Sequence, residues 1–205
     1  MRSMFFALFA VTFALLAGPA RAEPSPQDAQ AFIQGLAQQA ITTVAEKQIT
    51  DKERNERFRR LFVSTFDLPE ISRFVLARYW RSATPEQQQE FIKLFEEMQV
   101  LNWAQRFKDY KGESLQVLAS TQENPGAFTV DSLLNRPAGN PMPVQWRVHL
   151  ANDGKLRITD IVVEGVSMSI TQRSDYNSLL QANGGKFEAL LTALQNKIEQ
   201  MRGNG

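Results

Sequence analysis

The first half of the chain repeats apolar residues with the period of an α-helix. Apolar side chains recur every three or four positions over residues 32–44 and 58–66, and in a shorter run over residues 71–75. Side chains at this spacing share one face of a helix, which can pack against a core. The pattern predicts three helices in this part of the chain, the third of them over the stretch DLPEISRFVLARYW.

A fourth helix has the clearest start signal in the sequence. Thr84 is a good N-cap, Pro85 suits the first helical position, and Gln87 completes a capping box. Apolar residues continue at helical spacing almost to Gly112, which ends the helix. The helical part of the protein is therefore predicted over about residues 25–110.

Beyond Gly112 the period of the apolar residues changes to 2, which is the pattern of a half-buried β-strand. Turn signals that contain glycine, at residues 124–126 and 152–154, separate the alternating segments. Segments joined by short turns pair with their neighbours in sequence. The sequence therefore predicts a curved, four-stranded antiparallel sheet over about residues 114–171.

The third predicted strand defines the two faces of the sheet. One face carries four apolar side chains: Val144, Trp146, Val148 and Leu150. The opposite face carries three polar ones: Gln145, Arg147 and His149. Because side chains alternate between the faces of a strand, the apolar set is assigned to the interior and His149 to the surface.

A β-bulge is predicted in the fourth strand, which covers residues 155–170. The apolar residues of this strand do not keep one alternation from end to end. An extra residue near Thr159-Asp160 would restore the register and turn Ile161 and Val163 toward the interior. Glu164 would then face the other side of the sheet.

Glu164 interrupts the apolar run DIVVEGVSMSI and therefore needs an explanation. We interpret it as a charge at the strand end or at the rim of the sheet, with Gly165 allowing a bend beside it. Arg173 or another basic side chain is its expected partner. A direct contact with a ligand and a role as a catalytic acid are the alternatives.

Two further helices are predicted after the sheet, over about residues 174–202. Ser174 is the expected cap of the first helix, and Gly184-Gly185 ends it. Helices on both sides of a sheet in the sequence predict an α+β fold in a single domain, residues 23–205. A curved antiparallel sheet wrapped by helices forms a cone, which often encloses an apolar cavity.

Residues 1–22 have the features of a secretory signal peptide. Arg2 supplies an early positive charge, an apolar run follows, and Ala20-Arg21-Ala22 matches an A-x-A cleavage site. We expect cleavage before Glu23, with an uncleaved membrane anchor as the alternative. The apolar run is short for a membrane span of about 20 residues.

The net charge and the cysteine content of the chain bear on its binding partners and on its folding. The full chain has a formal net charge of +1, and removal of the signal peptide with Arg2 and Arg21 brings it to −1. A balanced charge argues against nucleic acid as a partner, because phosphate backbones are bound by concentrated basic patches. The chain has no cysteine, so its folding does not depend on disulfides.

No catalytic constellation stands out in the sequence. One histidine and no cysteine argue against the usual zinc sites, and glycine-rich phosphate loops and a G-x-S-x-G turn are absent. An enzyme on the same fold is an alternative that would require Asp131, Asp160 or Glu164 to face inward, into a water-accessible cavity. We therefore predict a protein that is not an enzyme and that uses no metal and no cofactor.

Two segments resemble the hallmarks of a known family. The stretch VLARYWRSATPEQQQEFIKLFEEM, residues 75–98, resembles the signature helix-turn-helix of the periplasmic MlaC family. Residues 143–185 resemble its strand, turn and D-[VI]-x-[VI]-E-G-V-S strand, followed by R-x-[DE] and a break that contains glycine. The resemblance covers nearly the whole mature chain, although position 77 is Ala where the family frequently has Gly.

The resemblance implies a periplasmic phospholipid carrier of the Mla pathway, which maintains outer-membrane lipid asymmetry. It implies a sheet related to the nuclear-transport-factor-like fold, with a pocket for the acyl tails of the lipid cargo. The implied partners are an inner-membrane ABC transporter complex with an MCE-domain protein and an outer-membrane lipoprotein complex. A hopanoid-associated carrier of the same family and a non-catalytic envelope adaptor with a solid core are the alternatives.

Apolar residues of the predicted helices and strands are the candidates for lining this pocket. They are Phe74, Val75, Tyr79, Phe91, Phe95, Val130, Val144, Trp146, Val148, Val163 and Val166. Glu164 and Arg173 are the candidates for charges at its rim. Each exposed CH₂ group of a lipid costs about 0.8 kcal/mol in water, so a carrier needs apolar walls rather than catalytic groups.

Overall fold

The computed structural model describes residues 23–46, 48–108 and 110–203. Within these residues the chain forms seven α-helices and five β-strands. The helices are α1 (Pro26–Ala45), α2 (Asp51–Thr65), α3 (Leu68–Leu76), α4 (Arg78–Ser82), α5 (Pro85–Lys108), α6 (Met168–Ala182) and α7 (Phe187–Gly203). The strands are β1 (Ser114–Asn124), β2 (Ala127–Asn135), β3 (Met142–Leu150), β4 (Leu156–Val163) and β5 (Val166–Ser167). The predicted signal peptide lies outside the described residues.

The strands form one antiparallel sheet in which each strand pairs with its neighbours in sequence. This order confirms the predicted α+β class and the antiparallel meander. The predicted count of four strands is wrong, because the fourth predicted strand turns back on itself. Glu164 and Gly165 form a two-residue hairpin loop there, and Val163 pairs with Val166 across it.

The hairpin at Glu164 explains why a charge interrupts an apolar run. Glu164 and Gly165 have φ values of 50° and 82°, and hairpin loops of two residues favour positive φ at both positions. The Glu164 N–H donates to the carbonyl of Pro143 at 3.0 Å, and the side chain is exposed. Among the described residues Glu164 forms no ion pair with Arg173 or with another basic side chain, and the Arg173 guanidinium lies 5.2 Å from the ring centre of Phe74.

The β-bulge lies where the sequence predicts it. Arg147 pairs with Asp160 and Val148 pairs with Ile158, so Thr159 of β4 has no partner on β3. The extra residue changes the faces to which the rest of β4 points. Ile161 and Val163 of β4 thereby join the apolar side chains of β3 on the inward face, as predicted, whereas Val162 lies on the opposite face.

Helix α6 begins well before the predicted cap, Ser174. Ser167 is the N-cap instead, and its hydroxyl accepts from the N–H of Ile170 at 3.1 Å. The Asp160 carboxylate accepts from the N–H of Ser169 at 2.9 Å and from the hydroxyl of Ser167 at 2.5 Å. These acceptors satisfy N–H groups of the first turn, so the helix starts directly after β5.

The predicted helix over DLPEISRFVLARYW is two helices. Ala77 separates α3 from α4 with φ 50° and ψ −117°, a conformation that L residues with a side chain rarely adopt. The Ala77 N–H donates to the carbonyl of Arg73 at 3.1 Å, which closes the last turn of α3. The chain therefore bends sharply at a residue without the freedom of glycine.

Two apolar clusters form the core of the described residues. One lies between α1 and the sheet and consists of Ala29, Ile33, Leu36, Phe128, Val130, Val148 and Ile158. The other lies among α2, α3, α5, α6 and α7 and includes Phe62, Val75, Phe91, Phe95 and Leu190. Phe66, at the end of α2, contacts both clusters, and the N–H of Asp67 beside it donates to the carbonyl of Ile158. This junction attaches the helical layer to β4.

Candidate functional site

The inward face of the sheet consists of three rows of side chains that cross the strands. In the middle row, Val130 of β2 pairs with Trp146 of β3, which pairs with Ile161 of β4. The flanking rows are Phe128, Val148 and Ile158 on one side and Ser132, Val144 and Val163 on the other. Five of the predicted lining residues share this surface: Val130, Val144, Trp146, Val148 and Val163.

Ser132 holds the orientation of Trp146 on this face, and sequence reasoning missed it. The Ser132 hydroxyl donates to the carbonyl of Val144 at 2.7 Å and accepts from the indole N–H of Trp146 at 2.9 Å. Both groups are thereby satisfied although Ser132 is buried. A polar residue in phase with the apolar residues of β2 was the available sequence signal.

Helix α1 covers the inward face. Its side chains Ala29, Ile33 and Leu36 belong to the same cluster as Val130 and Val148, which are 0% and 2% exposed. The apolar surface that was predicted to line a pocket is therefore packed against a helix in this structure. Direct polar contact between α1 and the sheet includes a hydrogen bond from the Gln30 amide to the carbonyl of Leu118, at 3.2 Å.

The other predicted lining residues do not lie on the inward face beneath α1. Val75, Phe91 and Phe95 are buried in the helical cluster, where the rings of Phe91 and Phe95 are 5.8 Å apart, and Tyr79 packs against the same cluster. Phe74 is 39% exposed on α3.

Val166 lies opposite Val163 on the short edge strand β5 and is 54% exposed. The predicted set is therefore divided between the sheet face, the helical cluster and the surface.

A groove of about 580 Å³ lies between α1 and α2. It is lined by Gln38, Gln39, Thr42, Thr43, Arg57, Arg60, Leu61 and Ser64. We call it the α1–α2 groove. Seven of these eight residues have polar or charged side chains, and the eighth, Leu61, also packs against the apolar cluster on the sheet. The sequence does not predict this groove, because its two walls belong to different helices whose packing is not a local signal.

None of the three carboxylates named for the enzyme alternative lies on the inward face. The Asp131 carboxylate accepts from the Gln145 amide at 2.8 Å, on the opposite face of the sheet. Asp160 is 6% exposed on that same opposite face, and its acceptor oxygens serve the start of α6. Glu164 is exposed in the hairpin loop. The arrangement that would make these residues a catalytic group is therefore not formed.

His149 lies on the polar face of the sheet, as predicted, but it is half-buried and paired with a carboxylate. Its imidazole Nε2 lies 2.7 Å from a carboxylate oxygen of Asp67, and the two side chains are 30% and 19% exposed. The other carboxylate oxygen of Asp67 accepts from the N–H of Glu70 and caps α3. The only histidine of the chain thus joins β3 to the start of α3.

Neither a metal cluster nor a membrane-spanning helix is found in the part of the chain that the structure describes. No group of three or more His, Cys, Asp or Glu residues there could hold a metal ion. None of the helices within residues 23–46, 48–108 and 110–203 is both long and apolar enough to cross a bilayer.

The sequence is similar to one known protein family and to a member of it. The profile of the family described as "MlaC protein" matches residues 34–196. The intermembrane phospholipid transport system binding protein MlaC of Haemophilus influenzae is 24% identical over 201 residues, which cover 94% of this chain and 91% of that protein.

A solved structure has the same fold. It is the phospholipid-binding protein from Ralstonia solanacearum in complex with a phospholipid. The TM-score is 0.76 at 20% sequence identity, and the match covers 85% of this chain and 98% of the other.

Proposed function

Because the chain belongs to the MlaC family, we propose that it is a periplasmic carrier that encloses the acyl tails of a phospholipid and moves the lipid between membranes. The observation that carries this proposal is the family match over residues 34–196. The relatives supply the cargo, since one is described as an intermembrane phospholipid transport protein and another is solved with a phospholipid. The predicted signal peptide supports export to the periplasm.

The inward face of the sheet is the surface that suits the tails. Moving two tails of about 16 carbons through water would cost more than about 20 kcal/mol, at about 0.8 kcal/mol for each CH₂. Val130, Trp146 and Val148 supply an apolar wall, and the one polar group among them, Ser132, is fully hydrogen-bonded. Such a wall binds tails without offering unpaired polar groups to them.

Helix α1 acts as the cover of this wall in the proposed carrier. It buries Ala29, Ile33 and Leu36 against the sheet where tails would otherwise lie. Tails and α1 side chains are both apolar, so one can replace the other on the sheet at little cost in exposed surface. Loading then requires that α1 separates from β1 and β2, while the helical cluster around Phe91 stays intact.

We base the proposed protein partners on the family to which the chain belongs. The carrier exchanges lipid with an inner-membrane ABC transporter complex that includes an MCE-domain protein, and with an outer-membrane lipoprotein complex. The reaction needs no bond to be made or broken, and therefore no catalytic residue and no cofactor. A hopanoid cargo differs from a phospholipid in having no phosphodiester, so lipid analysis separates these two possibilities.

The proposal is tested on protein purified from the periplasm. Extraction followed by mass spectrometry should recover about one phospholipid for each protein, and N-terminal sequencing should begin at Glu23. The variant Val130→Asp places a charge on the inward face and should remove most of the lipid. Its control, Gln145→Lys, places a charge beside Asp131 on the opposite face, and should retain the lipid. Recovery of only trace lipid from the parent protein, or of a hopanoid, would contradict a phospholipid cargo.

A further inference from the structure

The α1–α2 groove contains two arginines in different electrostatic states. The guanidinium of Arg57 bonds to carboxylate oxygens of Glu46 at 2.5 Å and of Glu53 at 2.7 Å. These hydrogen bonds, with Glu53 the stronger contributor, raise the pKa of Arg57. Its charge is therefore neutralised within the protein. Such a side chain can shape the groove but has little attraction left for a further anion.

Arg60 keeps its charge available to a ligand. It is exposed, lines the groove, and makes no ion pair with any residue that the structure describes. Glu56 precedes it by one helical turn, the spacing at which helix ion pairs form, yet the two are not paired. The groove therefore has one uncompensated positive charge on its wall. Arginine is also the side chain best suited to a phosphate group, which it can bind through two parallel N–H donors.

Neutral donors lie on the wall opposite Arg60. The side-chain amides of Gln38 and Gln39 on α1 line the groove and make no hydrogen bond within the described part of the chain. The hydroxyls of Thr42 and Thr43 donate to carbonyls of their own helix, at 2.9 Å each, so these protons are already used. The free donors at this site are thus the amides and the Arg60 guanidinium, a set that favours an anion.

The floor of the groove leads toward the proposed tail site. Leu61 lines the groove and also packs against the cluster between α1 and the sheet. Earlier on α1, Ile33 and Leu36 pack onto the inward face. The groove and the proposed tail site are therefore neighbours, because Leu61 contacts both. The volume of about 580 Å³ lies in the range of small-ligand sites.

We propose that the α1–α2 groove binds the phosphodiester of the lipid cargo, with Arg60 as its charged contact and Gln38 and Gln39 as neutral donors. This inference rests on the proposed function. It adds a specificity element, because the carrier would then distinguish lipids that have a phosphodiester from neutral lipids with the same tails. It also assigns α1 two roles, as the cover of the tails and as one wall of the head-group site.

The test compares binding of two lipids that differ only in the phosphodiester head. Phosphatidylglycerol and diacylglycerol of the same chain length are presented as cyclodextrin complexes to lipid-free protein, and inorganic phosphate is titrated separately. Arg60→Gln should weaken phosphatidylglycerol binding about tenfold and leave diacylglycerol binding unchanged. Arg60→Lys should restore part of the loss because it keeps the charge. Arg81→Gln is the matched control, since Arg81 is an exposed helical arginine outside the groove.

The outcomes separate the head-group site from the carrier function. If the parent protein binds neither lipid, the proposed function itself is wrong. If the parent binds phosphatidylglycerol and Arg60→Gln binds it within twofold, the carrier stands and the head-group site is wrong. If Arg60→Gln weakens the binding of both lipids equally, Arg60 has a structural role and the proposed head-group site is wrong. Loss of inorganic phosphate binding alone, with lipid binding unchanged, would identify a site for free phosphate and overturn the lipid assignment.

Discussion

At the scale of single residues, backbone strain is concentrated at Ala77. Its φ of 50° and ψ of −117° suit glycine, and a residue held there costs about 1–3 kcal/mol relative to an ordinary conformation. Ala77→Gly removes the strain but adds freedom to the unfolded chain, worth about 0.5–1 kcal/mol in the other direction. The variant should therefore gain about 1 kcal/mol in free energy of unfolding, measured by denaturant titration.

The control for Ala77 is the same substitution at a helix end with ordinary backbone. Ala83 follows α4 with φ −76° and ψ 145°, where glycine relieves no strain. Ala83→Gly should lower the free energy of unfolding by up to about 1 kcal/mol. If Ala77→Gly is destabilised as much as Ala83→Gly, the strain at Ala77 is not stored in the native state.

At the scale of elements, an ion-pair network joins three helices. Arg59 of α2 bonds to Glu96 at 2.6 Å and to Glu97, both on α5, and Arg202 of α7 bonds to Glu97 at 2.9 Å. Burial alone would raise the pKa of Glu97, but the hydrogen bonds from Arg59 and Arg202 outweigh it and lower the pKa below the ordinary 4.5. A carboxylate with a lowered pKa stabilises the fold above its unfolded pKa and loses that contribution as acid protonates it.

Glu97→Gln should therefore make the free energy of unfolding less dependent on pH in the acidic range. The parent should lose stability as the pH falls below about 4.5, through the native pKa of Glu97. The variant should be less stable at neutral pH, by about 1 kcal/mol or less because the pairs are partly solvated, and should lose less on acidification. Thermal melting from pH 7 to pH 3 measures both effects. Glu56→Gln is the control, and a Glu97→Gln curve parallel to the parent would contradict the prediction.

The elements also show which parts of the fold follow from local sequence. Helical spacing, the Thr84 capping box and the strict alternation around Trp146 are local signals, and the structure agrees with them. The start of α6 has a local cap, Ser167, that the sequence prediction did not choose, and it also uses Asp160 on β4, an acceptor that the local sequence around Ser174 does not indicate. The hairpin at Glu164 lacks the Asn-Gly or Asp-Gly pair that usually identifies such a turn.

Some features of the candidate site also follow from local sequence, and others do not. Alternation alone placed Val130, Val144, Trp146 and Val148 on one face. Whether Phe91 and Phe95 face the sheet or another helix depends on how α5 packs, and an apolar stripe does not identify its partner. The charge of the α1–α2 groove depends on carboxylates pairing with Arg57 and not with Arg60. This pairing is set by how the chain packs and not by a local sequence pattern.

At the scale of the whole molecule, the two clusters allow different amounts of movement. The helical cluster buries apolar residues from five helices, so its rearrangement would break many contacts at once. Among the described helices, only α1 contributes buried residues to the cluster on the sheet. Separation of α1 would therefore open the apolar face while the rest of the fold stays packed. Such a division into a stable part and a movable cover is what a lipid carrier requires.

Enlarging Val148 tests whether α1 is the movable cover. Val148 is 2% exposed beneath α1, and overpacking in a rigid core costs about 1–3 kcal/mol or more. If α1 can separate, an indole at this position takes space meant for tails and displaces α1 rather than straining the whole core. Val148→Trp should stay folded, melt near the lipid-free parent, co-purify with little lipid, and show faster hydrogen exchange in α1.

The control places the same bulk on the opposite face of the sheet. Val162 is 7% exposed on the face of β4 that carries Asp160, away from α1. Val162→Trp should be destabilised by overpacking against the helices on that side, while any folded fraction keeps the lipid content of the parent. If Val148→Trp is instead as destabilised as Val162→Trp and its lipid content is unchanged, the inward face is a rigid core. The tails would then have to bind elsewhere in the molecule.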